Sequence, residues 1–143
     1  MTYCIGIKTN EGLVLASDSR TNAGLDNYST HKKMLSYSVG DRCIVLLTSG
    51  NLSTSQFVYK TIREDLEASN PTTSLNTCKN FDEIAHYIGM LSWQRSNTDG
   101  VTVNTNLGSN FIVGGQIKDQ ETEMMMIYPV GNYIRISEIK PFL

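Results

Sequence analysis

The helical signals of this chain lie together in its middle, and the strand signals lie before and after them. Apolar residues recur at helical spacing in two stretches, which start at residues 53–55 and 80–83, and Asn70-Pro71 ends the first of them. Strands grouped apart from helices are typical of an α+β fold, in which helices cover a mostly antiparallel double sheet. The apolar positions behind these predictions are Val58, Ile62 and Leu66, then Ile84, Ile88 and Leu91, with Trp93 expected to close the packing of the second helix.

Short apolar runs between turn residues predict the strands of the sheets. Residues 43–47 are apolar on both faces, which is typical of a strand covered from two sides. Residues 98–100 and 104–106 are predicted to belong to a loop. The predicted strands span residues 2–8, 12–17, 33–38, 42–49, 109–117, 123–130 and 133–139.

Composition and charge exclude several classes of function. The chain has 143 residues, of which 40% are hydrophobic, so one domain over residues 1–143 with a substantial core is expected. A formal net charge of -2, with no basic run longer than Lys32-Lys33, argues against nucleic acid or an anionic membrane as the main partner. No apolar stretch approaches the roughly 20 residues of a membrane span, and no signal pattern opens the chain. A cytoplasmic location is therefore expected.

The cysteines and histidines give no sign of a disulfide framework or a metal centre. The three cysteines form no Cys-x-x-Cys pair and are expected to be buried thiols. His31 and His86 lie far apart and belong to no carboxylate-histidine motif. The sequence therefore predicts chemistry without a metal or another cofactor.

A threonine directly follows the initiator methionine. If Met1 is removed, Thr2 carries a hydroxyl and a free α-amine on the same residue. The amine has an ordinary pKa of about 8, which suits it to accept the hydroxyl proton. A small residue at position 2 is also common for reasons of N-terminal processing. Thr2 alone therefore does not indicate a catalytic threonine, and other segments have to be considered.

Further motifs are spread over nearly the whole chain in one consistent order, which makes the pattern more specific than a lone short motif. The chain resembles the proteasome-type N-terminal-nucleophile peptidases, and it is most similar to the bacterial proteasome-like family called Anbu, the ancestral β-subunit. The resemblance implies a four-layer α-β-β-α sandwich and hydrolysis of peptides or unfolded proteins through an acyl-enzyme on Thr2. The segments that carry it are Thr2-Tyr3-Cys4, residues 17–24, Lys33-Met34, residues 111–117 and Ile127-Tyr128-Pro129.

The resemblance gives Lys33 the role of lowering the proton affinity of the Thr2 amine and helping the hydroxyl to lose its proton. The plain alternative is a surface lysine at the start of a strand. A register shift of one residue would exchange Lys33 with Lys32, because neighbours on a strand face opposite sides. Lys33 is preferred, because the lysine of the family directly precedes an apolar residue, which here is Met34.

The resemblance also pairs Asp18 with this lysine, at the end of an apolar strand where an unpaired carboxylate would be costly to bury. An ordinary turn aspartate is the alternative. Arg20 belongs either to the same network or to the surface.

Gly50 matches the glycine of the family whose backbone N–H stabilises the oxyanion. A strand-to-helix turn that needs glycine for its dihedral angles is an equally good interpretation, and both roles are compatible. Thr21 and Thr48 match the positions that line the substrate site, which implies a polar, moderately small first specificity pocket.

Chains of this family continue well past the equivalent of Leu143, with more helices and strands and with a serine and an aspartate that support the catalytic centre. The chain is therefore predicted to be a C-terminally truncated domain whose sandwich lacks one helical layer. An alternative function follows, namely a noncatalytic self-assembling subunit or inactive fragment. The open sheet face is expected to be hidden by self-association into a homo-oligomer or by binding of a missing segment.

Overall fold

The computed structural model describes residues 2–22, 28–100 and 107–137 of the chain. In chain order the elements are β1 (Cys4–Thr9), β2 (Gly12–Ser17), β3 (Arg20–Asn22), β4 (Tyr28–Thr30), β5 (Met34–Val39), β6 (Arg42–Gly50), α1 (Leu52–Glu67), α2 (Phe81–Gly100), β7 (Ser109–Ile117), β8 (Glu123–Ile127) and β9 (Tyr133–Arg135).

The central sheet is antiparallel and has the strand order β5-β6-β7-β8-β9. Two of its interior strands, β6 and β7, pair from Arg42 opposite Ile117 to Gly50 opposite Ser109. The predicted range 109–117 is confirmed for β7. The two predicted hairpins at residues 2–17 and 33–49 are also confirmed, with small shifts at their ends.

Both helices pack on one face of this sheet. Val58 and Ile62 of α1 and Ile84 and Ile88 of α2 share a buried cluster with the alternate residues of β6, β7 and β8 that point to the same side. Helix α1 begins at Leu52, before the predicted start at residues 53–55, because Asn51 is its N-cap. The side-chain oxygen of Asn51 accepts hydrogen bonds from the N–H groups of Ser53 and Thr54. Asparagine is among the strongest N-caps.

Helix α2 starts where the sequence predicts and ends later. The Glu83 N–H donates to Asn80 Oδ1 at 2.9 Å, and the Glu83 carboxylate accepts from the Lys79 N–H at 2.7 Å. Residues 98–100 are helical rather than loop, since nothing before Gly100 interrupts the helix. Trp93 does not close the core packing: 44% of it is exposed. Residues 104–106 lie outside the described residues.

The hairpin of β1 and β2 covers the other face of the central sheet. Leu13 and Leu15 of the hairpin pack against Leu47, Ile112 and Met124. The described residues thus form helical layer, sheet and second sheet, which is the incomplete α-β-β-α sandwich that the motifs imply.

The outward face of this hairpin is apolar and exposed. The outward side chains meet in register, with Ile5 opposite Ala16 and Ile7 opposite Val14. Tyr3 is 74% exposed and Val14 is 54% exposed. This face is the outer surface of the second sheet, so the open face predicted from the sequence lies on the hairpin and not on the central sheet.

Several local predictions need correction. The pair β3 and β4 was missed, because strands of three residues carry no periodic signal. Strand β8 ends at Ile127, since Pro129 has no N–H to continue the ladder and Tyr128 N–H turns to Asn132 O. Strand β9 ends at Arg135 rather than extending to residue 139. Cys43 is an exposed thiol rather than a buried one.

Candidate active site

Lys33 lies directly before β5, in a position that the surrounding elements fix. Its carbonyl accepts hydrogen bonds from the Thr48 N–H at 2.9 Å and from the Tyr59 hydroxyl at 3.3 Å. The side chain is only 7% exposed, whereas Lys32 is exposed. The alternation of a strand therefore sends Lys33 inward and Lys32 outward.

The Lys33 ammonium joins Thr2 to Asp18. Nζ donates to Thr2 Oγ1 at 3.1 Å and lies 3.0 Å from each oxygen of the Asp18 carboxylate. It also donates to the backbone carbonyl of Arg20. Thr2, Asp18 and Lys33, which are separated in the sequence, therefore meet in one hydrogen-bonded group, and Arg20 contributes through its backbone.

Asp18 also holds the backbone beside Thr2. Its carboxylate accepts from the Tyr3 N–H at 2.8 Å and from the Arg20 N–H at 3.2 Å, and its own N–H donates to the Tyr3 carbonyl at 3.0 Å. The hydrogen bond from Tyr3, followed by that from Lys33, holds the pKa of the Asp18 carboxyl below its ordinary value. Asp18 is therefore ionised at neutral pH and keeps the ammonium of Lys33 directed at Thr2.

Gly50 lies where β6 passes into α1, and its backbone explains why the residue is glycine. Its φ is +112°, and an added Cβ would lie 2.6 Å from Gly108 O and 3.0 Å from Ser109 Cα. Gly50 lines the same cavity as Thr2. Both interpretations of this residue, a required turn and a backbone close to substrate, are compatible with this position.

We expect Gly50→Ala to destabilise the protein by about 1–3 kcal/mol, because the strained φ and the contact with Gly108 O are both unfavourable. Gly12→Ala is the matched control: φ there is +148°, but nothing lies within 4 Å of the added Cβ. Chemical denaturation of both variants checks this. A Gly50→Ala loss no larger than that of Gly12→Ala would contradict the close approach.

A cluster of hydroxyl groups forms hydrogen bonds around the turn at Gly50 and Asn51. The hydroxyls of Thr48 and Ser55 lie 2.7 Å apart, and Ser55 and Ser109 both donate to the Asn51 carbonyl. Thr48 is buried and lines the cavity beside Thr2. Thr21 lies on β3, but its side chain is outside the described residues.

Cys4 is the other nucleophilic side chain near Thr2. Its Sγ donates to the Thr48 carbonyl at 3.3 Å, and burial raises the pKa of the thiol. The thiol is therefore protonated at neutral pH and is a poor competitor for Thr2. Within residues 2–22, 28–100 and 107–137, no group of three or more His, Cys, Asp or Glu is arranged to hold a metal ion.

A cavity of about 360 Å³ opens beside Thr2. Sequence reasoning placed Thr48, Lys33 and Gly50 at this site but missed the residues that α1 contributes. The available signal was helical spacing, because positions three and four apart after Gly50 share one face of the helix. The missed lining residues on α1 are Leu52, Ser55, Gln56, Tyr59, Lys60 and Arg63, and those outside α1 are His31, Lys32, Leu35 and Ser49.

The layered fold, with Thr2 beside a buried lysine that pairs with an aspartate, defines a proteasome-type N-terminal-nucleophile fold. The family model described as proteasome subunit matches residues 2–139. The chain therefore belongs to the proteasome subunit family, as its motifs predict. Among curated proteins, no significant match is found.

Solved Anbu structures match over the whole chain. Anbu (ancestral beta-subunit) from Yersinia bercovieri is 31% identical with a TM-score of 0.91, and this chain covers 59% of it. The Gly-1 mutant of Anbu from Hyphomicrobium sp. strain MC1 is 37% identical with a TM-score of 0.88 and 60% covered. The helical assembly of the Anbu complex from Pseudomonas aeruginosa is 32% identical with a TM-score of 0.88 and 59% covered. The chain thus spans about three fifths of the length of these relatives.

None of the helices that the structure describes is long and apolar enough to cross a membrane.

Proposed function

We propose that this chain is a threonine-type peptidase subunit that hydrolyses peptide bonds through an acyl-enzyme on Thr2, after removal of Met1. The observation that carries the proposal is the contact of a buried, aspartate-paired Lys33 ammonium with Thr2 Oγ1 at 3.1 Å. A surface lysine would not be buried against a hydroxyl and a carboxylate at once. Family membership supports the same assignment.

The first half of the reaction forms the ester. The free Thr2 amine accepts the proton of Oγ1, and Oγ1 attacks the carbonyl carbon of the peptide bond. The negative charge that develops on the carbonyl oxygen is stabilised by the backbone N–H of Gly50. The carbon–nitrogen bond then breaks, and the leaving amine takes the proton from the Thr2 ammonium.

The second half of the reaction releases the product. Water loses a proton to the same amine and attacks the ester carbon. The bond to Oγ1 breaks, and Oγ1 recovers its proton. Each step thus uses one base, the Thr2 amine.

Lys33 and Asp18 set the electrostatics of these steps. The Lys33 charge next to Thr2 disfavours an ammonium on the same residue and favours an alkoxide. Asp18 stays ionised well below neutral pH, because its carboxyl pKa is lowered. We therefore expect activity to rise with pH as the Thr2 amine, whose ordinary pKa is about 8, loses its proton, and we do not expect Asp18 to contribute to this rise.

We expect Met1 to be absent from the active protein, because an amide nitrogen cannot accept the Oγ1 proton. Intact-mass measurement of protein purified from cells should show a chain that begins at Thr2. A threonine-directed acylating probe should then add one label to this species and none to the species that retains Met1. An active preparation in which Met1 is fully retained would contradict the mechanism.

A second candidate is a noncatalytic self-assembling subunit. The observation that favours it is the exposed apolar face of the β1–β2 hairpin, formed by Tyr3, Ile5, Ile7, Val14 and Ala16. The chain also covers only 59% of the Pseudomonas aeruginosa Anbu chain, whose structure is a helical assembly. Absence of any label on a chain that begins at Thr2 would favour this candidate over the peptidase.

We expect the chain to self-associate at micromolar concentration and to bind a hydrophobic dye, because a continuous apolar sheet face is unfavourable in water. Val14→Lys should reduce both the mass measured by light scattering and the dye signal. Val130→Lys is the matched control, since Val130 is 71% exposed but lies outside this face. A compact monomer without dye binding would count against this expectation.

A further inference from the structure

The cavity beside Thr2 is lined by cations. Lys32, Lys60 and Arg63 line it together with His31 and the catalytic candidate Lys33, and none of the described lining residues is an aspartate or glutamate. The chain as a whole has a formal net charge of -2, so this positive region is a local feature and not a reflection of the total charge. A cleft lined by one sign of charge attracts ligands of the other sign.

These cations are not equally available to a ligand. Lys33 is neutralised by Asp18 at 3.0 Å. Lys60 lies 3.6 Å from Glu64, and because both side chains are exposed the pair is weak. Among the described residues, no carboxylate lies within ion-pair distance of Lys32 or Arg63. The cavity therefore keeps a net positive charge after its internal pairs are counted.

The rest of the lining is neutral. Leu35 and Leu52 provide apolar walls, and Gln56 lies one helical turn beyond Leu52. Burial raises the pKa of Tyr59, so its hydroxyl remains neutral and adds no negative charge. The cavity thus combines apolar walls that accept an aliphatic stem with cations that accept a carboxylate.

We infer that this cavity selects peptide substrates with an acidic side chain on the acyl side of the bond cleaved, with Arg63 and Lys60 of α1 and Lys32 as the selecting groups. The inference rests on the proposed peptidase function, because it takes Thr2 as the group that attacks the peptide. It adds a basic character to the polar, moderately small pocket expected from Thr21 and Thr48.

The test compares glutamate with glutamine, which differ in charge and hardly in shape. Two peptide electrophiles, with Glu or Gln next to the reactive group, are incubated with the chain that begins at Thr2, and the rate of labelling is followed by intact mass. We expect the Glu probe to label at least about tenfold faster at low salt, with the difference shrinking at 0.5 M salt.

Variants of the cavity test whether Lys60 and Arg63 cause the preference for the Glu probe. Lys60→Gln/Arg63→Gln should bring the two labelling rates to within about threefold of each other, since the Coulomb attraction is removed. Lys79→Gln/Lys118→Gln is the matched control: it removes the same charge, and both lysines are exposed at the end of the molecule that carries Arg42 and Ile117, far from Gly50. The control should keep the full preference.

A second measurement does not depend on the chemistry of Thr2. Binding of capped, amidated peptides that end in Glu or Gln is measured by calorimetry, and the Glu peptide should bind at least about fivefold more tightly at low salt.

Labelling of Thr2 at equal rates by both probes would overturn the charge selection and leave the peptidase proposal intact. Failure of both probes to label would overturn the peptidase proposal, and the binding preference would then decide the charge selection alone. A preference that persists in Lys60→Gln/Arg63→Gln would overturn the assignment of these residues.

Discussion

Thr2→Ala is expected to abolish turnover and labelling while the fold is preserved. The substitution removes Oγ1, the only atom proposed to attack the substrate, and Cys4 cannot replace it because burial raises its thiol pKa. Loss of the hydroxyl takes away one of the hydrogen bonds of Lys33, whose ammonium retains Asp18 and the Arg20 carbonyl. Circular dichroism and thermal unfolding should therefore resemble those of the parent chain.

Thr2→Ser is the control for this experiment, since serine keeps both the hydroxyl and the amine. It should retain labelling by the acylating probe at a measurable rate. Full activity in Thr2→Ala would reject Thr2 as the nucleophile.

Lys33→Ala should lower the rate of labelling or turnover at least about 100-fold, the lower range for a group that assists proton transfer. The reason is the loss of the only side-chain cation that contacts Thr2 Oγ1 among the described residues. The variant also leaves Asp18 without its ammonium partner, so the pH at which the Thr2 amine loses its proton should rise. Kinetics as a function of pH measure both effects.

Lys32→Ala is the matched control, because the same side chain is removed at the neighbouring position, where the lysine is exposed and is proposed to act on acidic substrates only. Its effect on a neutral substrate should be small. Equal losses at the two lysines would contradict the assignment of Lys33. Unfolding measurements on both variants show whether any loss at Lys33 comes from stability instead.

The layers of the fold could be predicted from the sequence because they rest on periodicity. Val58 and Ile62 recur at helical spacing, and residues 43–47 carry the apolar run of β6, so the positions of these elements follow from local pattern alone. The strands β3 and β4 were not predictable in this way, since three residues do not establish a period. Their pairing depends on residues that are brought together by the rest of the fold.

In the candidate site, too, some residues could be predicted from local sequence and others could not. Asp18 and Lys33 were identified through motif resemblance, because both lie in short segments that the family shares. The basic character of the cavity was not predicted: Lys32 precedes a strand, whereas Lys60 and Arg63 lie on the face of α1 that turns towards Thr2. From the sequence alone, these cations are expected to be solvated surface charges. Only the packing of α1 beside β5 and β6 places them around one cavity.

The two hydrogen bonds between Asp18 and the backbone of Tyr3, here called the clamp, have a consequence for removal of Met1. Both hydrogen bonds of this clamp are made by the backbone of Tyr3, which lies on the far side of Thr2 from Met1. The hydrogen bond from Lys33 likewise reaches the side chain of Thr2 and not its amine. Under the proposed mechanism, removal of Met1 therefore leaves all three of these hydrogen bonds in place, and N-terminal processing changes the bonding of a single nitrogen atom.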